Sequence, residues 1–401
     1  MIELSGKYNS CKVFTDSIDT ATNEQIITLM NQPSFAKSKV RIMPDCHAGE
    51  GCVIGTTMTI TDKIVPNLVG VDIACSVTVI QLHQKDVDLK KLDDAIHKLI
   101  PAGINVRTNP HPYIEHVPLQ NLYAPIGDMD HIQNSLGTLG GGNHYLELDR
   151  DDNGYLYFCI HTGSRKLGVQ IANYYQTKAN KQTQYKPYNE KITKIITDLK
   201  AQGRFSEIQT EIEKFRNEYQ PDKKIFGYCT DELMEQYLHD VRIAQDFAFY
   251  NHSAISNILF EAMNWTSNGA FITRHNYIDL GKMILRKGAV SARKGEQIII
   301  PMNMRDGSLI CTGKGNDDWN QSAPHGAGRI MSRAKARQNL NMEDFTKSME
   351  GIFTTSVSEE TIDESPMAYK PMKDIIKFIE PTVTVNKIIK PIYNFKAGSD
   401  S

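Results

Sequence analysis

The stretch from Met43 to Val77, MPDCHAGEGCVIGTTMTITDKIVPNLVGVDIACSV, constrains this chain most. Asp45, His47, Asp72 and Cys75 stand there among glycines, between apolar runs too short for helices and suited to strands. Chemically capable side chains at strand ends predict loop-borne chemistry on a β framework. The rest of the chain must then supply their partners.

Composition narrows what those partners serve. The 401 residues are long enough for a large core, and 40% hydrophobic with 23% charged residues is the balance of a globular protein. A net charge of -2 gives no global pull toward nucleic acid, so such a partner requires a local basic surface. The seven cysteines are scattered and form no CxxC pair, which argues against a disulfide framework or a zinc ribbon and for reduced thiols. No stretch approaches a membrane span, and MIELSGKYNS lacks the basic and apolar regions of a signal peptide, so a cytoplasmic location is the expectation.

Along the chain, DTATNEQIITLMNQ reads as a helix capped by Thr22, and DLKKLDDAIHKLI as an amphipathic helix with Leu89, Leu92, Ile96 and Leu99 on one face. Pro101, Pro110, Pro112 and Pro118 mark an irregular connection. GYLYFCIHTGSRKLG reads as a hairpin, and residues 188 to 218 as an inserted helical pair with a solvated face. DELMEQYLHDVRIAQDFAFYNHSAISNILFEAMNW predicts a longer, buried helix. MILRKG, EQIIIP and SLICTG return to short strands before a helix near MEDFTKSM and the tail KIIKPIYNFKAG. Strands at both ends with helices between predict an α+β chain whose terminal parts meet.

Asp72 and Cys75 lie three residues apart in GVDIAC and can aim at one ion, although an isolated DxxC also describes a turn aspartate beside a buried thiol. GGGNHYLE adds Asn143, His144 and Glu147, with glycines that let backbone approach a ligand. IHTGSR adds His161 and Arg165, and TRHNY adds His275. One strand-end histidine is ordinary; three beside Asp72 and Cys75 make a two-ion site suited to zinc or manganese. His325 stands before two glycines in PHGAGR, where an open imidazole can act as a nucleophile toward phosphorus or simply occupy a turn beside Arg329. RKGAVSARKG and GKGN offer cations and backbone N–H groups to phosphates, but neither is a Walker A loop. Tyr369 and Lys370 in PMAYK and Lys396 in NFKAG bring a ring and amines that can meet a base.

These motifs in this order, MPDCHAGEG, VGVDIAC, GTLGGGNHYLE, HTGSR, RHNY, RKGAVSAR, HGAGR, AYK and FKAG, resemble the RtcB family of RNA-splicing ligases over nearly the whole chain. The resemblance implies a single composite α+β domain over 1–401, with central β-sheets around a metal-lined cleft and a helical insertion at about 169–266. It implies a GTP-dependent RNA ligase of tRNA splicing or RNA repair. Such an enzyme joins RNA ending in a 3′-phosphate or 2′,3′-cyclic phosphate to RNA with a 5′-hydroxyl. Asp72, Cys75, His144, His161 and His275 match the ligands of two manganese ions, and His325 matches the histidine that takes GMP covalently. Asn143, Glu147, Asn303, Gly326, Gly328, Tyr369 and Lys396 match guanylate-binding positions, and Asp45 and Arg165 positions near the RNA end. An accessory activator protein, and either a monomer or a dimer, are compatible with it.

The chain departs from the family text at three places. Ala74 and Ser76 replace the glycines of DIGCG, with side chains expected to crowd the backbone beside the ions. Pro301 to Arg305 reads PMNMR where PGSMG is common, and Lys166 replaces a glycine of HTGSR-x-LG. Two other functions share the same motifs: a metal-dependent RNA-end phosphohydrolase or cyclic phosphodiesterase, and a non-catalytic RNA-end binding protein.

Overall fold

The computed structural model describes residues 1–184, 186–218 and 225–398. The expected domain span 1–401 and insertion 169–266 therefore include a few residues outside those described.

A six-stranded sheet takes the strands in the order Ile2–Ser5, Ser10–Val13, Val40–His47, Ile54–Thr59, Ile284–Lys287 and Asn276–Asp279. The first four come from the N-terminal part and the last two from the final third, so the two parts meet within one sheet. A larger sheet runs Gln297–Asn303, Gly307–Gly313, Val383–Phe395, Tyr145–Asp151, Leu156–Thr162, Ser76–Leu82 and Ser267–Arg274, with Phe353–Thr354 beside Val383–Phe395. A short ribbon pairs Ala289–Ser291 with Ser322–Pro324.

Register in the larger sheet decides where the chemistry lies. Ser76 pairs with both Thr162 and Arg274, and Tyr145 pairs with His161. The residues just outside these strands, Cys75, His144 and His275, therefore emerge at one end of the sheet beside His161. Side chains alternate faces along a strand, so a one-residue slip would take His161 off this face.

The helices fix that end in place. The long helix Asp231–Met263 buries Tyr237, Val241 and Phe247 in a core shared with Ile26, Leu29, Val40 and Ile42 of the smaller sheet's side. Farther along, Ile255 and Leu259 join Leu92, Ile96, Phe158 and Ile160 beneath the larger sheet. One helix thus spans both cores, each buried aliphatic or aromatic contributing about 1.5–3 kcal/mol. Arg165–Gln184, Lys186–Ala201 and Ile208–Glu218 precede it and make up the helical region expected between the strands.

Two sequence expectations change. The first helix, Thr20–Met30, is capped by Asp19, whose carboxylate accepts from the Thr22 backbone N–H at 3.0 Å; Thr22 is inside the helix. GYLYFCIHTGSRKLG is one strand, Leu156–Thr162, running into a helix from Arg165, and its hairpin partner is Tyr145–Asp151. Among the described residues no helix is long and apolar enough to cross a membrane.

Candidate active site

Cys75 Sγ lies 3.4 Å from His144 Nε2 and 3.2 Å from His161 Nε2. His161 Nε2 lies 3.3 Å from His275 Nε2, and His144 Nε2 is 2.9 Å from Asp72 Oδ2. All five residues that the sequence singled out as metal ligands are therefore contiguous. The far ring nitrogens are anchored: His144 Nδ1 meets the Leu139 carbonyl and His161 Nδ1 the Asn143 carbonyl, each at 3.0 Å. A carbonyl only accepts, so both Nδ1 atoms carry the proton and both Nε2 lone pairs point at the cluster. Gly163 makes the room, since a Cβ there would lie 2.2 Å from Asp72 Oδ1.

Electrostatics suit a cation. Burial first, then the rings of His275 and His144, hold His161 well below its ordinary value; burial and His325 do the same for His275. Both imidazoles are neutral and free to ligate. Burial and the adjacent Asp72 push the Cys75 thiol well up, so a thiolate is stable here only against positive charge. Burial works against ionised Asp72, but the contact with His144 keeps its carboxyl below the usual range. Ligand atoms of Cys75, His144 and His161 all lie within 4.8 Å of one another, a separation and donor set that fit a divalent cation.

Next to this cluster opens a cleft of about 940 Å³, counting its mouth, with His161, His275 and His325 on one side. His325 follows the ribbon strand Ser322–Pro324 and its ring centroid is 5.2 Å from that of His275. Its Nδ1 is 2.7 Å from Oδ2 of Asp45, a fully buried residue on Val40–His47, and the same oxygen accepts the His325 backbone N–H at 3.2 Å. With Nδ1 committed to a carboxylate, Nε2 keeps the free lone pair. Gly328 permits this approach: its φ is +71°, and a Cβ would fall 2.2 Å from the Asp45 carbonyl.

Asn143, Glu147, Asn303, Gly326, Gly328, Tyr369 and Lys396 all line the cleft. Burial raises the Glu147 carboxyl to about 7, against the hydrogen bond from Asn394 Nδ2 at 2.6 Å and the charge of Lys396. The Asn303 amide is already engaged, for its Oδ1 accepts the N–H groups of Arg305 and Asp306 and its Nδ2 donates to Asp306. Arg165 does not line the cleft; it bonds Thr138 Oγ1 at 3.3 Å and the Gly103 carbonyl at 3.2 Å, and its charge acts on Asp72 and Cys75. Lys166 is half-exposed beside Asp128.

The two replaced glycines are accommodated. Ala74 adopts a φ of +62° and its N–H donates to the Asn276 carbonyl at 2.6 Å. Ser76 Oγ donates to the Ala74 carbonyl and sits 3.0 Å from His252 Nε2 on the long helix. Rather than crowding the loop, Ser76 ties it to a buried helix.

Sequence reasoning missed Glu364, Arg333 and Asn394 as cleft residues. Asn394 was within reach, because it lies two residues before Lys396 at the end of a strand and so shares its side. Glu364 carried no such signal, ending a 3-10 turn, Glu359–Glu364, in a polar segment without periodicity.

A family model described as "tRNA-splicing ligase RtcB" matches residues 25–123 and 125–397. The chain is 28% identical to the RNA-splicing ligase RtcB of Escherichia coli (strain K12) over 93% of its own length and 94% of that protein's. It is 24% identical to the tRNA-splicing ligase RtcB of Pyrobaculum aerophilum, over 94% and 92%. With the family model covering nearly its whole length, this chain belongs to the RtcB family of tRNA-splicing ligases.

Proposed function

We propose that this family member is a GTP- and manganese-dependent enzyme that seals RNA 3′-phosphate or 2′,3′-cyclic phosphate ends to 5′-hydroxyl ends through a covalent His325–GMP intermediate. The single domain 1–401, with its helical insertion at about 169–266, acts as the catalytic unit. The observation that carries this reading is the His325–Asp45 contact of 2.7 Å at the wall of the cleft.

In the first step the Nε2 lone pair attacks the α-phosphorus of GTP. An N–P bond forms, the bond to the bridging oxygen breaks, and pyrophosphate leaves. Asp45 holds the proton on Nδ1 and stabilises the charge that develops on the ring, as the acid of a triad does. GMP then passes to the RNA 3′-phosphate as the N–P bond breaks, restoring His325. The 5′-hydroxyl attacks the activated phosphate and expels GMP; a cyclic end is first opened by water. Asp72, Cys75, His144, His161 and His275 are the residues that would hold two manganese ions, and bound ions would neutralise charge on the reacting phosphates. Asn143, Glu147, Asn303, Gly326, Gly328, Tyr369 and Lys396 would hold the guanylate, and Arg165 the RNA end. The seven cysteines are all free and buried, which suits the reducing cytoplasm.

Incubation with labelled GTP and manganese is expected to leave GMP on the protein in an acid-labile, alkali-stable linkage, and His325→Ala to abolish it. An adduct that survives in His325→Ala removes the nucleophile assignment.

A further inference from the structure

Glu364 belongs to none of the motifs that pointed to the site, yet its carboxylate ties one wall of the cleft together. It is 2% exposed. Oε2 accepts from Lys396 Nζ at 2.5 Å and from the Tyr369 hydroxyl at 2.7 Å. Oε1 lies 2.7 Å from Arg333 and 3.4 Å from Arg329. Burial alone would protonate this group, but Lys396, Arg333 and Arg329 hold its carboxyl down to about 2, so the ion persists throughout the working range.

Lys396 is a flexible, buried ammonium, and Glu364 is its hydrogen-bonded counter-charge. Its Nζ stands 5.6 Å over the Tyr145 ring, inside the cleft. A purine there is sorted by its 6-position: the oxo group of guanine accepts from an ammonium, whereas the amino group of adenine offers a donor to a donor. A site built around a fixed polar partner rejects the mismatched group far better than an apolar pocket does. The neighbouring amide of Asn303 is committed to its own turn and leaves this task to the Glu364 side.

We propose that Glu364 is a positioning residue that sets the preference for guanine over adenine by holding Lys396 and Tyr369 in place in the cleft. The proposal rests on the guanylate reading of the cleft given above. A purely structural ion-pair hub would move stability without moving base choice, so base choice is the quantity to measure.

The experiment compares full-length wild type, Glu364→Gln and Glu364→Asp, recording GMP- and AMP-adduct formation against nucleotide concentration, manganese binding and thermal unfolding. In Glu364→Gln the GTP concentration for half-maximal adduct should rise about tenfold or more, the saturated rate should stay within about threefold, and the GTP-over-ATP preference should fall about tenfold. Glu364→Asp should recover part of that preference, with manganese binding unchanged in both. A folded Glu364→Gln with wild-type half-saturation and wild-type preference overturns the proposal. Should that variant not fold, the wild type decides: inosine triphosphate, which keeps the 6-oxo group, should be used within about tenfold of GTP, and ATP about a hundredfold less. ITP as poor as ATP overturns the proposal. A wild type that forms no adduct with any nucleotide removes the guanylate reading itself, and the inference with it.

Discussion

The two walls of the cleft are built on opposite principles. On the proposed metal wall, Cys75, His144, His161 and His275 come from the aligned end of one sheet, and their lone pairs converge with little positive charge to meet them. On the proposed nucleotide wall, Glu364, Arg329 and Tyr369 come from turns and loops, Arg333 from the start of the helix Arg333–Asn339 and Lys396 from just after the strand Val383–Phe395, and they already satisfy one another. The first wall is completed by a cation; the second is complete by itself. The metal wall should therefore be separable from stability, and the nucleotide wall should not.

Cutting the nucleotide wall at Lys396→Met gives the largest expected effect. It leaves the Glu364 carboxylate buried without its nearest ammonium, which costs about 3–5 kcal/mol in urea unfolding while manganese binding is unaltered. A smaller loss would mean that the arginines suffice. The same carboxylate carries a pH signature. Its folded value of about 2 lies below the ordinary glutamate value near 4.3, so its stabilisation is fully present above about pH 4.5 and fades as pH falls toward 2. The stability gap between wild type and Glu364→Gln should accordingly narrow on acidification, by on the order of 3 kcal/mol over the whole window. A gap independent of pH between 6 and 3 would show that the charge is not what stabilises.

On the metal wall, His161→Ala is expected to weaken manganese binding by about a hundredfold, or roughly 2.7 kcal/mol, by equilibrium dialysis. Its metal-free unfolding should stay within about 1 kcal/mol of wild type, because removing one of several crowded neutral rings breaks no ion pair. If metal-free stability fell as far as in Lys396→Met, the contrast between the walls would collapse. The smallest effect belongs to the loop beside Cys75. Ala74→Gly relieves a left-handed alanine and should stabilise by up to about 1 kcal/mol, less the entropy of a more flexible unfolded chain. A clear destabilisation would mean that the Ala74 methyl packs better than its backbone conformation costs.

The same contrast explains what could be read from the sequence. Metal-wall residues were legible because each sits at the end of an apolar β run, and strand alternation brings such ends together: DIAC before Ser76, GNH before Tyr145, TRH after an apolar strand. His325 was legible from its glycines, but its partner Asp45 lies 280 residues away and no local pattern joins them. Glu364 was illegible for the same reason, since its partners span Arg329 to Lys396 and its own turn has no period. The tail KIIKPIYNFKAG lies mostly within a 13-residue interior strand, Val383–Phe395. Pro391 is tolerated because the pairing with Tyr145–Asp151 shifts register between Pro391 and Tyr393. The Thr22 cap failed on a choice between two good capping residues three positions apart, which only backbone geometry settles.

The central claim is that His325, oriented by Asp45, carries GMP. Its most direct measurement is peptide mass spectrometry of the protein after incubation with GTP and manganese, under alkaline conditions that preserve a phosphoramidate. The account predicts a single GMP mass increment on the peptide containing His325, strongly reduced in Asp45→Asn. GMP found on another residue, or no covalent GMP under conditions in which the protein seals RNA, would contradict it.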